Sequence, residues 1–113
     1  MEKREHARYP RTFEMTGCEN GEGIPARMVA TNLSLGGLYC TSNVCFDEMT
    51  RIAVTLMLPL GRASETEPIT AEAVVVRHRQ VQSTTGDDRF ELALFFTDLA
   101  EDARGRLERY LNR

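Results

Sequence analysis

A two-residue period constrains the second half of this chain more than any other feature. Ile52, Val54, Leu56 and Leu58 alternate with Ala53, Thr55 and Met57 until Pro59 ends the run, and Phe90, Leu92, Leu94 and Phe96 repeat the pattern. Side chains two apart on an extended strand share a face, so each run turns one apolar face toward a core. Between them, Ile69–Val81 centres on the β-branched run Val74-Val75-Val76 and reads as a longer strand. A polar loop over Gly61–Pro68 and a hairpin-type turn over Thr84–Asp88 join the three.

The first half repeats this design less clearly. Phe13 and Met15 mark a first strand over Thr12–Thr16, and the glycines, Asn20 and Pro25 between Gly17 and Pro25 mark a turn. A second strand is expected over Arg27–Thr31, and a short third one over Leu38–Thr41. After Thr97 the period changes. Leu99, Ala103, Leu107 and Leu111 recur at steps of four with Tyr110 adjoining, and Asp98 with Glu101 looks like a capping pair, so a helix is expected over about 98–111. The expected fold is mainly β: six strands in a closed or nearly closed antiparallel barrel, with the C-terminal helix covering one opening or side. Residues 12–113 form this single domain, preceded by a flexible, basic arm over residues 1–11.

Composition removes several function classes. With 113 residues, 42% hydrophobic and 27% charged, the chain is an ordinary globular domain, and no stretch is apolar enough to enter a membrane. The charged N-terminus has no apolar segment of the secretory type, so a cytoplasmic protein is expected. Cys18, Cys40 and Cys45 lack metal-ligand spacing and lie far in sequence from His6 and His78, so the thiols are expected to fill small core spaces, with no metal and no cofactor. Neither histidine has a nucleophile and an orienting partner in sequence reach, and the acid pairs Asp87-Asp88 and Glu101-Asp102 fall in a turn and a helix start. No Gly-rich phosphate loop links a strand to a helix, so no enzyme is expected. A net charge of −3 and aromatics at core-like positions argue against DNA or RNA as partners.

Two features remain. Arg4 and Arg8 are spaced so that two guanidiniums can converge on one anion, with Lys3 beside them. The same spacing recurs at Arg109 and Arg113, so alone it says little. Farther along, Asn32-Leu33-Ser34-Leu35-Gly36-Gly37 interrupts an otherwise apolar strand. On an extended strand Asn32 and Ser34 would share a face, and Gly37 would let a flat ligand or another strand lie close. Taken alone, the stretch is better accounted for as a turn held by side-chain to backbone bonds.

Together, RxxxR (Arg4 to Arg8) and NxSxxG (Asn32 to Gly37) resemble the two-part signature of PilZ domains. The stretches AVVVR (Ala73–Arg77) and FELALFFTDL (Phe90–Leu99) resemble that family's late strand and closing strand. The resemblance implies a six-stranded barrel with a C-terminal helix and a bacterial receptor for cyclic di-GMP, signalling by a change of shape and by binding a downstream protein partner. It implies that Arg4 and Arg8 grip phosphates and guanine edges, that Asn32 and Ser34 bond a guanine, and that Gly37 leaves it room. Lys3, Gly36 and Arg77 would be secondary contacts. Asn32 stands where the family often has Asp, and Lys3-Arg4 where it often has two arginines. The alternative implied is a degenerate PilZ domain that binds proteins and no nucleotide.

Overall fold

The computed structural model describes residues 12–23, 25–59, 65–81 and 89–112. Six strands follow one another: β1 (Phe13–Glu19), β2 (Ala26–Leu33), β3 (Gly37–Ser42), β4 (Arg51–Pro59), β5 (Thr66–Val81) and β6 (Arg89–Asp98). One helix, α1 (Glu101–Leu111), ends the chain. The strands close into an antiparallel barrel in the order β1-β2-β3-β6-β5-β4. Closure leaves no sheet edge around the full circuit, which is how a small all-β domain avoids pairing with its neighbours.

The alternation sets which side chains go inside. Ile52, Val54, Leu56 and Leu58 of β4 and Leu92, Leu94 and Phe96 of β6 are all buried, as are Phe13, Met15, Met28 and Ala30 from the first hairpin. The expected strands are all present, with longer bounds. β1 runs through Gly17 to Glu19 because those residues pair with Ala26 and with Val54 to Ile52 of β4. The bend follows at Asn20, Gly21 and Gly23, which adopt positive φ of 54°, 72° and 86°. β5 begins at Thr66, inside the expected loop, because Pro68 has a ladder partner in Met57. The expected turn over Thr84–Asp88 lies outside the described residues.

Antiparallel pairing brings the start of β1, the end of β2 and the start of β3 to one end of the barrel. Helix α1 lies across that end. Ala103, Leu107 and Leu111 are buried there, and the Tyr110 ring meets Phe13 edge-on at 6.2 Å between centroids. Arg106 anchors the helix to the start of β5, donating to Glu67 at 2.8 Å while facing Asp102 at 3.3 Å. The expected capping pair is not formed. Asp98 is the last residue of β6, and the N-cap is Ala100 with no side-chain cap, so packing holds this helix start without the usual Ser or Asp.

The thiols divide by depth. Cys40 is buried as expected and Cys18 is partly so, but Cys45 is exposed and sits 3.5 Å from Nδ1 of His78, a contact the sequence separation concealed. Desolvation pushes the Cys40 thiol from an ordinary 9.0 up to about 12. Folding therefore opposes its ionisation, so its contribution to stability is complete below pH 9 and declines as pH rises toward 12. With an aromatic disulfide reagent at pH 8, Cys45 should react fastest, Cys18 more slowly and Cys40 only at the rate of unfolding. Burst labelling of all three thiols in the folded protein would contradict this assignment. Leu107, wholly buried beneath the helix, should lose about 2–5 kcal/mol of stability on truncation to Ala. Urea unfolding monitored by circular dichroism measures it.

Candidate functional site

The interrupted stretch is a tight turn between β2 and β3, and Ser34 is its fastener. The Ser34 amide donates to the Gly37 carbonyl at 2.9 Å. Its hydroxyl donates to that same carbonyl and accepts from the amides of Gly36 and Gly37, each at 3.2 Å. One donor and two acceptor sites are all a hydroxyl has, so the turn uses its whole capacity. Ser34 is only 3% exposed and lies beyond the end of β2, so it does not share an outward face with Asn32 as extended geometry would have it.

Gly37 has an equally local reason. A Cβ there would run into the Leu94 carbonyl oxygen and come within 3.1 Å of the Phe95 Cα. Of the two readings open in the sequence, a flat ligand or another strand, the strand occupies the space: β6 lies against Gly37. Phe96 also donates its amide to the Gly36 carbonyl at 2.9 Å. The glycine pair is therefore the place where β6 closes onto the β2–β3 turn.

Asn32 is placed differently. A register shift between Ala30 and Asn32 brings it opposite Tyr39, whose amide donates to Asn32 Oδ1 at 3.2 Å. Tyr39 stands opposite Ala93, and Ala93 opposite Arg77. Four residues on four neighbouring strands thus form one row across the outside of the barrel: Asn32, Tyr39, Ala93 and Arg77. A second register shift between Val75 and Arg77 keeps Arg77 in this row. At about 4.8 Å per strand the row is about 14 Å long. A shallow cavity of about 290 Å³ lies over its middle, where Ala93 is short and Tyr39 and Arg77 rise on either side. The Tyr39 side is 39% exposed. Arg77 makes no ion pair with another described residue, whereas its neighbour Arg79 is held by Glu91 through Nε at 3.1 Å and through Nη2.

Of the residues singled out in the sequence, Asn32 and Arg77 therefore meet on one face, while Ser34, Gly36 and Gly37 build the turn beside it. Lys3, Arg4 and Arg8 lie outside the described residues. Tyr39 and Ala93 escaped sequence reading although half the signal was there. Leu38 and Cys40 point inward, so Tyr39 between them must point out. The other half is the pairing of distant strands, which no local pattern carries.

Sequence profiles of known domain families were compared with this chain, and that of the PilZ domain matches residues 2–113. The chain belongs to the PilZ domain family. No curated protein matches it in sequence. Solved structures with the same fold include three of low sequence identity. MotI/DgrA, the inhibitor of motility of Bacillus subtilis, superposes with a TM-score of 0.72 at 19% identity over 100% of this chain and 54% of its own. The PilZ domain of YcgR from Escherichia coli, solved with c-di-GMP, gives 0.70 at 15% identity, covering 96% of this chain and 88% of its own. The c-di-GMP complex of MrkH from K. pneumonia gives 0.76 at 16% identity, over 99% of this chain and 51% of its own. This PilZ domain thus spans about half the length of MotI/DgrA and MrkH.

Because Ser34 and Gly37 hold the turn of this PilZ domain, changing them should disturb stability before it disturbs anything else. Ser34→Ala leaves the Gly36 and Gly37 amides without their acceptor and should cost about 1–3 kcal/mol. Gly37→Val forces β6 away and should cost more. Equilibrium unfolding in urea checks both, and a Gly37→Val protein as stable as the parent would refute the close approach of β6.

Proposed function

We propose that this PilZ domain is a receptor for cyclic di-GMP and that the ligand lies along the Asn32–Tyr39–Ala93–Arg77 row. The observation that carries the reading is where β1 starts. Phe13 is opposite Ala30, two residues from Asn32, so the chain that carries Arg4 and Arg8 joins the barrel beside that end of the row. Arg8 is four residues before Thr12, which limits it to about 14 Å from that residue. That spans Asn32, Tyr39 and Ala93, three strand spacings from β1 or about 14 Å, and the length of the arginine side chain extends it toward Arg77.

The ligand's chemistry suits these groups. It carries two phosphates and two guanines, and arginine bonds phosphate and the O6/N7 edge of guanine in the same forked manner. Asn32 Oδ1 accepts from a guanine N1 or N2 donor. Tyr39 and Arg77 are flat groups flanking the short Ala93, so a planar base that enters between them stacks on both. Ser34, Gly36 and Gly37 act at one remove by fixing the turn that presents Asn32. Binding draws the basic arm against the barrel, and the protein surface altered in this way is what a downstream partner reads. No step of this function requires catalysis or a cofactor.

One observation favours a second reading, a PilZ domain that binds only proteins. Ser34 and Gly37 are fully explained by the barrel itself, so their presence does not require a nucleotide. Calorimetry with cyclic di-GMP separates the two. The receptor reading expects saturable heat with the full chain and at least about thirtyfold weaker binding for Arg8→Ala, as for loss of one partner of a desolvated charge pair. Arg77→Ala should weaken binding without unfolding the protein. Asn32→Asp should tighten it about fivefold, because a charged acceptor adds about 1 kcal/mol to such a bond. Absence of heat at high micromolar nucleotide, with a folded protein in the cell, would leave the protein-binding reading standing.

A further inference from the structure

A second and larger concavity lies on the outer face, reaching from the start of β1 and the end of β4 to the residue after β3 and the start of β6. This groove, of about 920 Å³, runs between Met57, Glu14, Thr16, Arg27, Asn43 and Arg89. Its basic side is built by register. Thr16 is opposite Arg27. Met28 is opposite Ser42, and Ser42 opposite Phe90, so one step along the strands Arg27, Asn43 and Arg89 form a row across β2, the end of β3 and β6. Two strand spacings put the Cα atoms of Arg27 and Arg89 about 10 Å apart, so their long side chains can reach one anionic segment together.

Neither arginine is committed elsewhere among the described residues. Arg79 pairs with Glu91, and Arg106 with Glu67 and Asp102, but no ion pair joins Arg27 or Arg89 to a described acid. The opposite side of the groove carries Met57 and Val29, which is 39% exposed, with the Glu14 carboxylate between them. From Met57 on β4 across β1, β2 and β3 to Arg89 on β6 is four strand spacings, about 19 Å. An extended chain of about six residues covers that length. Arg27 lies five residues along β2 from Asn32, about 17 Å away, so the arginines of the groove stand clear of the nucleotide row, which the groove adjoins only at Val29 and Thr41.

We propose that this groove docks an extended acidic segment of a partner protein. Carboxylates of the segment meet Arg27 and Arg89, the Thr16 and Asn43 side chains bond its backbone, and an apolar side chain at its other end rests on Met57 and Val29. Charge complementarity selects this occupant and its direction: the acids lie at Arg27 and Arg89, the uncharged end lies beside Glu14 and Met57, a small anion leaves that end bare, and a basic segment meets two arginines against one carboxylate.

The test is an NMR titration of the isotope-labelled full chain with two capped hexapeptides, Leu-Ser-Gly-Ser-Asp-Glu and Leu-Ser-Gly-Ser-Lys-Lys. The acidic peptide should shift the amides of Thr16, Arg27, Asn43 and Arg89 and leave Asn32 and Tyr39 in place. Arg27→Glu with Arg89→Glu should weaken it at least tenfold, about what two partly screened ion pairs supply. Arg27→Lys with Arg89→Lys should retain most of the binding. The charge-reversed protein must keep its spectrum, and its response to cyclic di-GMP should be unchanged, so failure here and failure of the nucleotide reading are distinguishable. The proposal is overturned if millimolar acidic peptide shifts nothing in the groove, if the basic peptide acts equally, or if inorganic phosphate alone reproduces the shifts. Sedimentation showing a dimer that the charge reversal dissociates would also overturn it, by making the groove a self-interface.

Discussion

The close approach of β6 to Gly37 is the contact on which the rest of this molecule depends. It opens the seam of six residue pairs between β3 and β6, and without that seam the strands form a single open sheet, β3-β2-β1-β4-β5-β6, with β3 and β6 as bare edges. It also fixes the β2–β3 turn, because the same residues are held from the other side by the Ser34 hydroxyl. A turn clamped from both sides leaves Asn32 one position to occupy. The row of outward side chains then follows from pairing alone: once β3 meets β6, Tyr39 must stand beside Ala93, and Ala93 beside Arg77. A binding face built on paired strands keeps its spacing better than one built on loops.

Much of the fold was legible because strand pairing here agrees with local pattern. The alternation at 52–58 and 90–96 gives the inward set almost residue for residue, and the change of period after Thr97 marks the helix. The misses have a common cause. β1 extends through Gly17 to Glu19, β5 begins before Pro68, and the helix starts without the Asp98 cap, each because a partner distant in sequence outweighs the local signal. Cys45 beside His78 is the same lesson among the thiols.

Of the residues singled out in the sequence, the positions were more legible than their roles in the barrel. Asn32 and Arg77 were singled out, and they do share a row. Ser34 and Gly37 were singled out too, but their atoms are spent on the turn: the hydroxyl on two amides and a carbonyl, the missing side chain on the passage of β6. A short motif can thus stand beside an outward row of side chains while half of it serves the scaffold under that row. Tyr39 and Ala93 carry no motif at all. The β3–β6 pairing gives them their place, and the register shift at Ala30/Asn32 brings Asn32 opposite Tyr39.

Two neighbouring concavities on the outside of one barrel suit the proposed receptor of a small ligand and a larger partner. The central claim is that cyclic di-GMP lies on the Asn32 row, and a backbone amide map of the isotope-labelled full chain during titration tests it most directly. The account predicts saturable shifts at Asn32, Tyr39, Ala93 and Arg77 and in the arm bearing Arg4 and Arg8, with Arg27 and Arg89 unmoved in the absence of a partner. Saturable shifts confined to any other face, or none at high micromolar nucleotide, would contradict it.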